Sequence, residues 1–127
     1  MEINIQNLVT QSYGGSGGDT FTQRGIETVA IRHGSYVDAI IINGEQFGGN
    51  GGELSDTITL ASNEYISRME IRQGKYIDYL EITTNLGQQI TGGGNGGNLV
   101  TLTGGIVAVG GRSGSYIDQL EILGNFN

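Results

Sequence analysis

The sequence predicts an all-β fold closed by a pseudo-threefold repeat, and three observations carry that prediction. Apolar residues alternate in short runs, while sustained helical periodicity is almost absent. Gly-x-Tyr-x-Asp is written three times, as Gly34-Ser35-Tyr36-Val37-Asp38, Gly74-Lys75-Tyr76-Ile77-Asp78 and Gly114-Ser115-Tyr116-Ile117-Asp118, each copy 40 residues after the last. A glycine cluster also occurs three times, at residues 14–18, 48–52 and 93–97, with looser intervals of 34 and 45 residues. Short strands at about ten-residue spacing imply a sandwich, barrel or prism. Threefold repetition favours closure around a shared apolar axis, because one module cannot bury its apolar face alone.

The elements follow in register. Ile26, Val29 and Arg32 align with Ile66, Met69 and Arg72, and again with Ile106, Val109 and Arg112. These positions place one strand before each Asp motif, and the run from Ile66 to Arg72 reads as half-buried. After the motif, Ala39-Ile40-Ile41-Ile42 is a buried run that turns at Asn43-Gly44, a strong hairpin signal. Leu80-Glu81-Ile82-Thr83 and Leu120-Glu121-Ile122-Leu123 are its counterparts. Asp38 and Asp78 each precede a glycine cluster, but Asp118 has none after it, and the cluster at 14–18 has no Asp motif before it. Closure of the fold therefore predicts that the first cluster completes the third module. It also predicts that the N-terminal strand, around Ile3 to Tyr13, joins the sheet of the last strand.

Composition bounds the function. A chain of 127 residues reads as one domain, residues 1–127, long enough to bury a core. Its 24 glycines punctuate β-branched runs, so they read as tight turns rather than disorder. A net charge of −7 argues against nucleic acid, whose phosphates need Lys and Arg. Without cysteine there are neither disulfides nor thiolate metal sites. No membrane insertion is expected, since no apolar run reaches a span's length. No signal peptide is visible at Met1-Glu2-Ile3-Asn4-Ile5-Gln6, so a soluble protein is expected, cytoplasmic or secreted by a non-classical route.

Each module offers one carboxylate, one aromatic ring and one glycine-rich loop. Ionised Asp accepts from two neighbouring hydroxyls. Glycine loops expose backbone N–H groups to a ligand, and Tyr adds an apolar face with a polar tip. A polyol with adjacent hydroxyls and an apolar C–H face matches that set. The competing reading is a turn: Asp capping local donors and glycines satisfying sterics. Three registered pairs favour binding over turn chemistry. Calcium would need several carboxylates per site, and residues 14–19 lack the Gly-Lys-Ser/Thr ending of a phosphate loop. His33 is the only histidine, which disfavours a metal triad or a Ser-His-Asp triad; it reads as a solvated turn residue. A glycosidase needs two carboxylates, and no second acid repeats in all three modules. No enzyme, cofactor or metal is expected. Arg32, Arg72 and Arg112 sit back from the loop tip, which suggests an ion pair or a snorkelling strand residue rather than ligand contact.

These residues resemble the jacalin-related lectins from Gly14 to about Ile122. The stretch from Arg32 through Asn43-Gly44, followed by residues 48–52, carries the likeness most strongly, with Glu64-Tyr65-Ile66-Ser67 and Thr84-Asn85-Leu86-Gly87 adding to it. The resemblance implies a β-prism I of three four-stranded antiparallel Greek-key sheets. It implies carbohydrate binding, with the Asp carboxylate taking the O4 and O6 hydroxyls of mannose or glucose, and backbone amides of the Asp loop and the last cluster glycine donating. Carried over, the sites are Ser35, Tyr36 and Asp38 with Gly52; Lys75, Tyr76 and Asp78 with Gly97; and Ser115, Tyr116 and Asp118 with Gly18. Galactose-preferring members use a free amino terminus made by cleavage, and here thirteen residues precede Gly14, so mannose is favoured. Lys75 and Ser115 stand where the resemblance places acidic residues. The expected partners are mannose-containing glycans and glycoproteins. A homodimer stays open; a domain swap of the first strand is less expected, because the connection from Gly18 to Gly34 is long and proline-free. The reading from another class is a structural or protein-interaction β-prism without sugar binding.

Overall fold

The computed structural model describes residues 7–127, and the elements they form are strands. In chain order these are β1 (Val9–Gly14), β2 (Asp19–Gly25), β3 (Thr28–His33), β4 (Val37–Ile42), β5 (Glu45–Gly48), β6 (Glu53–Leu54) and β7 (Ile58–Thr59). The second half contains β8 (Ile66–Gln73), β9 (Ile77–Thr84), β10 (Gln89–Gly93), β11 (Asn98–Ser113) and β12 (Ile117–Phe126).

Three antiparallel faces emerge from the pairing. The first has the order β5-β4-β3, with the interrupted pair β6 and β7 on the far side of β3. The second has the order β10-β9-β8 followed by the first half of β11, where Asn98 to Thr103 pair with Gln73 to Arg68. The third has the order β1-β12, then the second half of β11, then β2. The last two faces form one continuous seven-stranded ladder because β11 runs through both of them. It bends at Gly104-Gly105, where Gly104 takes φ +131° and the pairing with β8 slips.

The third face has the order of the other two, but its outer strands come from the chain's beginning. β1 occupies the place of β5 and β10, pairing with β12 from Val9↔Gly124 to Gly14↔Gln119. β1 and β12, the first and last strands among the described residues, are thus held by β-pairing, as the orphaned glycine cluster predicted. The part of that expectation at Ile3 to Gln6 lies outside the described residues.

The aligned apolar positions meet inside. Val29, Met69 and Val109 are buried, as are Ile40, Leu80 and Leu120, Ile42, Ile82 and Ile122, and Val37, Ile77 and Ile117. Each fully buried aliphatic side chain contributes about 1.5–3 kcal/mol relative to exposure. This shared core requires all three faces. The hairpin of β4 and β5 turns at Asn43 (φ +54°) and Gly44 (φ +84°), the two positive values that a type I′ turn demands. Asn43 Oδ1 also accepts from the N–H groups of Glu27 and Thr28, tying that turn to the start of β3.

Candidate functional site

One local device builds all three Asp loops. The ladder slips at the same place in each module, between Arg32 and His33, Arg72 and Gln73, and Arg112 and Ser113. A bulge there bends the strand end and re-aims the loop that follows. In each loop the glycine N–H donates to the tyrosine carbonyl: Gly34 to Tyr36 at 2.9 Å, Gly74 to Tyr76 at 3.0 Å and Gly114 to Tyr116 at 2.9 Å.

The glycine clusters repeat as closely. Their first glycines have φ of +112°, +114° and +115° at Gly14, Gly48 and Gly93, and their last have +71°, +70° and +74° at Gly18, Gly52 and Gly97. Only glycine takes the first conformation without strain. The second glycine of each cluster then donates to the carbonyl of an Asp: Gly15 to Asp118 at 2.7 Å, Gly49 to Asp38 at 2.9 Å and Gly94 to Asp78 at 2.8 Å. The expected pairings are therefore the spatial ones, including Asp118 with the cluster at 14–18 from the far end of the chain.

The fit around each carboxylate is close. A Cβ placed on Gly17, Gly51 or Gly96 would lie 2.7 Å from Oδ2 of Asp118, Asp38 or Asp78 respectively. On Gly18 or Gly52 it would lie 2.7 or 2.8 Å from Oδ1 of Asp118 or Asp38. Glycine is thus required so that the carboxylate can lie against bare backbone. Asp38 and Asp118 keep only 7% and 6% exposure, and Asp78 is half-buried.

Burial dominates the electrostatics, pushing all three carboxyls above the ordinary Asp value of 3.8. Positive charge opposes it in every module. Arg32 and His33 act on Asp38, together with a backbone N–H of its own loop. Arg72 acts on Asp78. Arg112 and then Lys75 act on Asp118, with the Gly114 N–H.

The arginines have a second task that their spacing did not reveal. Arg32 Nε donates to the Gly51 carbonyl at 3.1 Å, and Arg112 Nε and Nη2 donate to Gly17 and Gly18 at 3.0 and 2.8 Å. Arg72 Nη1 reaches the carbonyls of Asn95 and Gly97, both at 3.4 Å. Each guanidinium stitches its strand to the back of its own cluster. Ion pairing or snorkelling is replaced by a fork of donors satisfying turn carbonyls.

The tyrosines also meet one another, which their spacing alone did not show. Tyr36, Tyr76 and Tyr116 pack on one another, with centroids 5.4, 5.0 and 5.2 Å apart, in edge-on and tilted pairs. Three equivalent residues in mutual contact lie on the pseudo-threefold axis. They form a hub with the three Asp loops around it. His33 is not a solvated turn residue. It is half-buried against Gly92, where an added Cβ would come within 2.1 Å of its Cγ. A concavity of about 370 Å³ lies at the opposite strand ends, between Tyr65, Ser67, Gly104 and Asn125. It contains none of the loop carboxylates.

What the arrangement can do is accept hydroxyls. Each site has one carboxylate, flanking bare backbone and a neighbouring cation, and among the described residues no cluster of three His, Cys, Asp or Glu could hold a metal ion. Comparison with known proteins agrees with this geometry. Residues 10–123 match the family model described as "Jacalin-like lectin domain". Griffithsin from Griffithsia sp. (strain Q66D336) is 45% identical over 118 residues, 91% of this chain and 96% of that protein. Malaysian banana lectin superposes with a TM-score of 0.81 at 29% identity, covering 94% of this chain and 99% of that one. AcmJRL, a mannose binding jacalin related lectin from Ananas comosus, gives a TM-score of 0.75 at 25% identity, covering 92% and 96%.

Proposed function

Since the chain belongs to the jacalin-like lectin domain family and is a non-enzymatic carbohydrate-binding lectin, we propose that it holds three mannose sites and engages high-mannose glycans multivalently. The observation that carries this reading is the threefold identity of the carboxylate cradle: three Asp side chains, each against a cluster whose terminal φ values agree within a few degrees. Turn chemistry alone requires no such repetition. In each site the carboxylate takes two adjacent hydroxyls of the sugar, and backbone N–H groups of the Asp loop and of Gly52, Gly97 or Gly18 donate to its oxygens. The relative from Ananas comosus is described as mannose binding. Mannose presents adjacent hydroxyls of the kind the carboxylate requires.

A single sugar in a shallow site binds weakly, on the order of millimolar or about −4 kcal/mol. Three sites around one hub serve a branched ligand better, with a gain of roughly 10²–10⁴ in avidity. Calorimetry with methyl α-mannoside and with a soluble branched mannose glycan measures both. The branched ligand binds tighter by that factor, and Asp38→Ala, Asp78→Ala or Asp118→Ala each reduces the gain. A branched ligand bound no tighter than the monosaccharide overturns the multivalent reading. Absence of all saccharide binding by the folded chain would leave a structural or protein-interaction prism.

A further inference from the structure

The three sites are built alike but assembled across modules. The second glycine of each cluster, besides bonding its own Asp, abuts the backbone of a neighbouring module's Asp loop. A Cβ on Gly49 would lie 2.3 Å from the carbonyl oxygen of Ser115, and on Gly94 2.4 Å from that of Ser35. On Gly15 it would lie 2.3 Å from the carbonyl oxygen of Lys75 and 3.4 Å from its Cα. The loop residue between Gly and Tyr therefore borders the next site round the axis: Ser115 borders the Asp38 site, Ser35 the Asp78 site and Lys75 the Asp118 site.

Two further contacts fix this handover at the third site. Gln73, two residues before Lys75, accepts the Gly14 N–H on Oε1 at 3.0 Å. Tyr76, one residue after it, packs on Tyr116 of the Asp118 loop. Lys75 is exposed, and its ammonium rests over the Tyr76 ring, 5.6 Å from the centroid. Its charge acts on Asp118, whereas the charge acting on Asp78, in its own loop, is that of Arg72.

Resting on the mannose reading above, we propose that Lys75 belongs to the Asp118 site and makes it select saccharides with an anionic group beside the bound mannose. The three arginines are common to all sites and are committed to the carbonyls of their clusters. The residues in Lys75's place at the other two sites are serines, so this cation breaks the threefold equivalence. The chain's net charge of −7 opposes anions generally, so any preference for them is local to this rim. The anion sits on the sugar linked to the mannose, because a charge on the hydroxyls that Asp118 takes would face its carboxylate. A uronate carboxylate and a sulfate ester share this chemistry.

The test is site-resolved NMR titration, following the amides of Gly18, Gly52 and Gly97. The probes are mannose joined to glucose, to glucuronate and to sulfated glucose. At low salt, at least one anionic probe binds at Gly18 about 2- to 5-fold tighter than the neutral one, the range of an exposed ion pair. Gly52 and Gly97 show no such gain. The preference disappears in high salt and in Lys75→Gln, and Ser115→Lys confers it on Gly52. Whichever anion gains at Gly18 names the source. A preference appearing at Gly97, or at none of the three, overturns the assignment while leaving mannose binding intact. A neutral probe that shifts none of the three glycines overturns the mannose reading itself, and this proposal with it.

Discussion

Replacing Asp38, Asp78 and Asp118 together with Asn abolishes saccharide binding without lowering the stability of the apo fold at neutral pH. The direction follows from the carboxyls' environment. Burial raises each above 3.8 in the folded chain, despite the opposing arginines. An acid with a raised folded value contributes stability below its unfolded value, and that contribution is lost as pH rises through the folded one. At neutral pH the ionised trio therefore opposes folding, and neutral Asn of the same shape relieves it. Thermal unfolding of both proteins from acid to neutral pH checks this. The variant is at least as stable as the parent at neutral pH, and its advantage closes as pH falls below about 4, near the unfolded Asp value. Saccharide binding by the parent runs the other way: it needs the ionised acceptor and falls as acid protonates the carboxyls, starting above the ordinary Asp range. A triple variant that unfolds would make these carboxylates structural caps and sink this account of the cradle.

Gly49→Ala has the opposite signature, damaging the fold before the site. Its methyl would sit 2.3 Å from the Ser115 carbonyl oxygen and 3.0 Å from the carbonyl carbon, both backbone atoms of another module. No rotamer relieves such a clash. The faces must part locally, at a cost of about 1–3 kcal/mol. Gly25→Ala is the matched control, since its Cβ would meet nothing closer than 3.8 Å, and surface changes of that kind stay within about 0.5 kcal/mol. Chemical denaturation compares the two variants directly. The Gly49 change also disturbs the amides of both the Asp38 and Asp118 loops, because it lies between them. Equal midpoints for the two variants would mean that the modules are not locked at this contact.

The parts of the fold that were legible in the sequence are those encoded by spacing. The 40-residue register announced three modules, and the unpaired cluster at 14–18 announced that β1 would lie beside β12. Asn43-Gly44 announced its hairpin because local backbone chemistry decides that turn. What stayed hidden depends on contacts between modules, which no local pattern records. The tyrosine hub exists only once three loops converge on one axis, so each Tyr looked like a platform for its own Asp. Arg32, Arg72 and Arg112 read as set back from the tip, and they are. Their targets, the carbonyls of the glycine clusters, come from loops 19 to 95 residues away in sequence. Lys75 shares a loop with Asp78, yet its backbone abuts Gly15. The bend of β11 at Gly104-Gly105 was likewise invisible, since a pair of glycines does not say which two sheets it joins.

Under the proposed function, three equivalent cradles bind one sugar each, with the third completed by the chain's first glycine cluster. Titration of the chain with methyl α-mannoside, reading site occupancy at the amides of Gly18, Gly52 and Gly97, separates three sites from fewer. Saturation is expected at all three glycines, with total stoichiometry of three and with Asp118→Ala silencing Gly18 while sparing Gly52 and Gly97. Saturation at one or none of them, or survival of the Gly18 response without the Asp118 carboxylate, would contradict it.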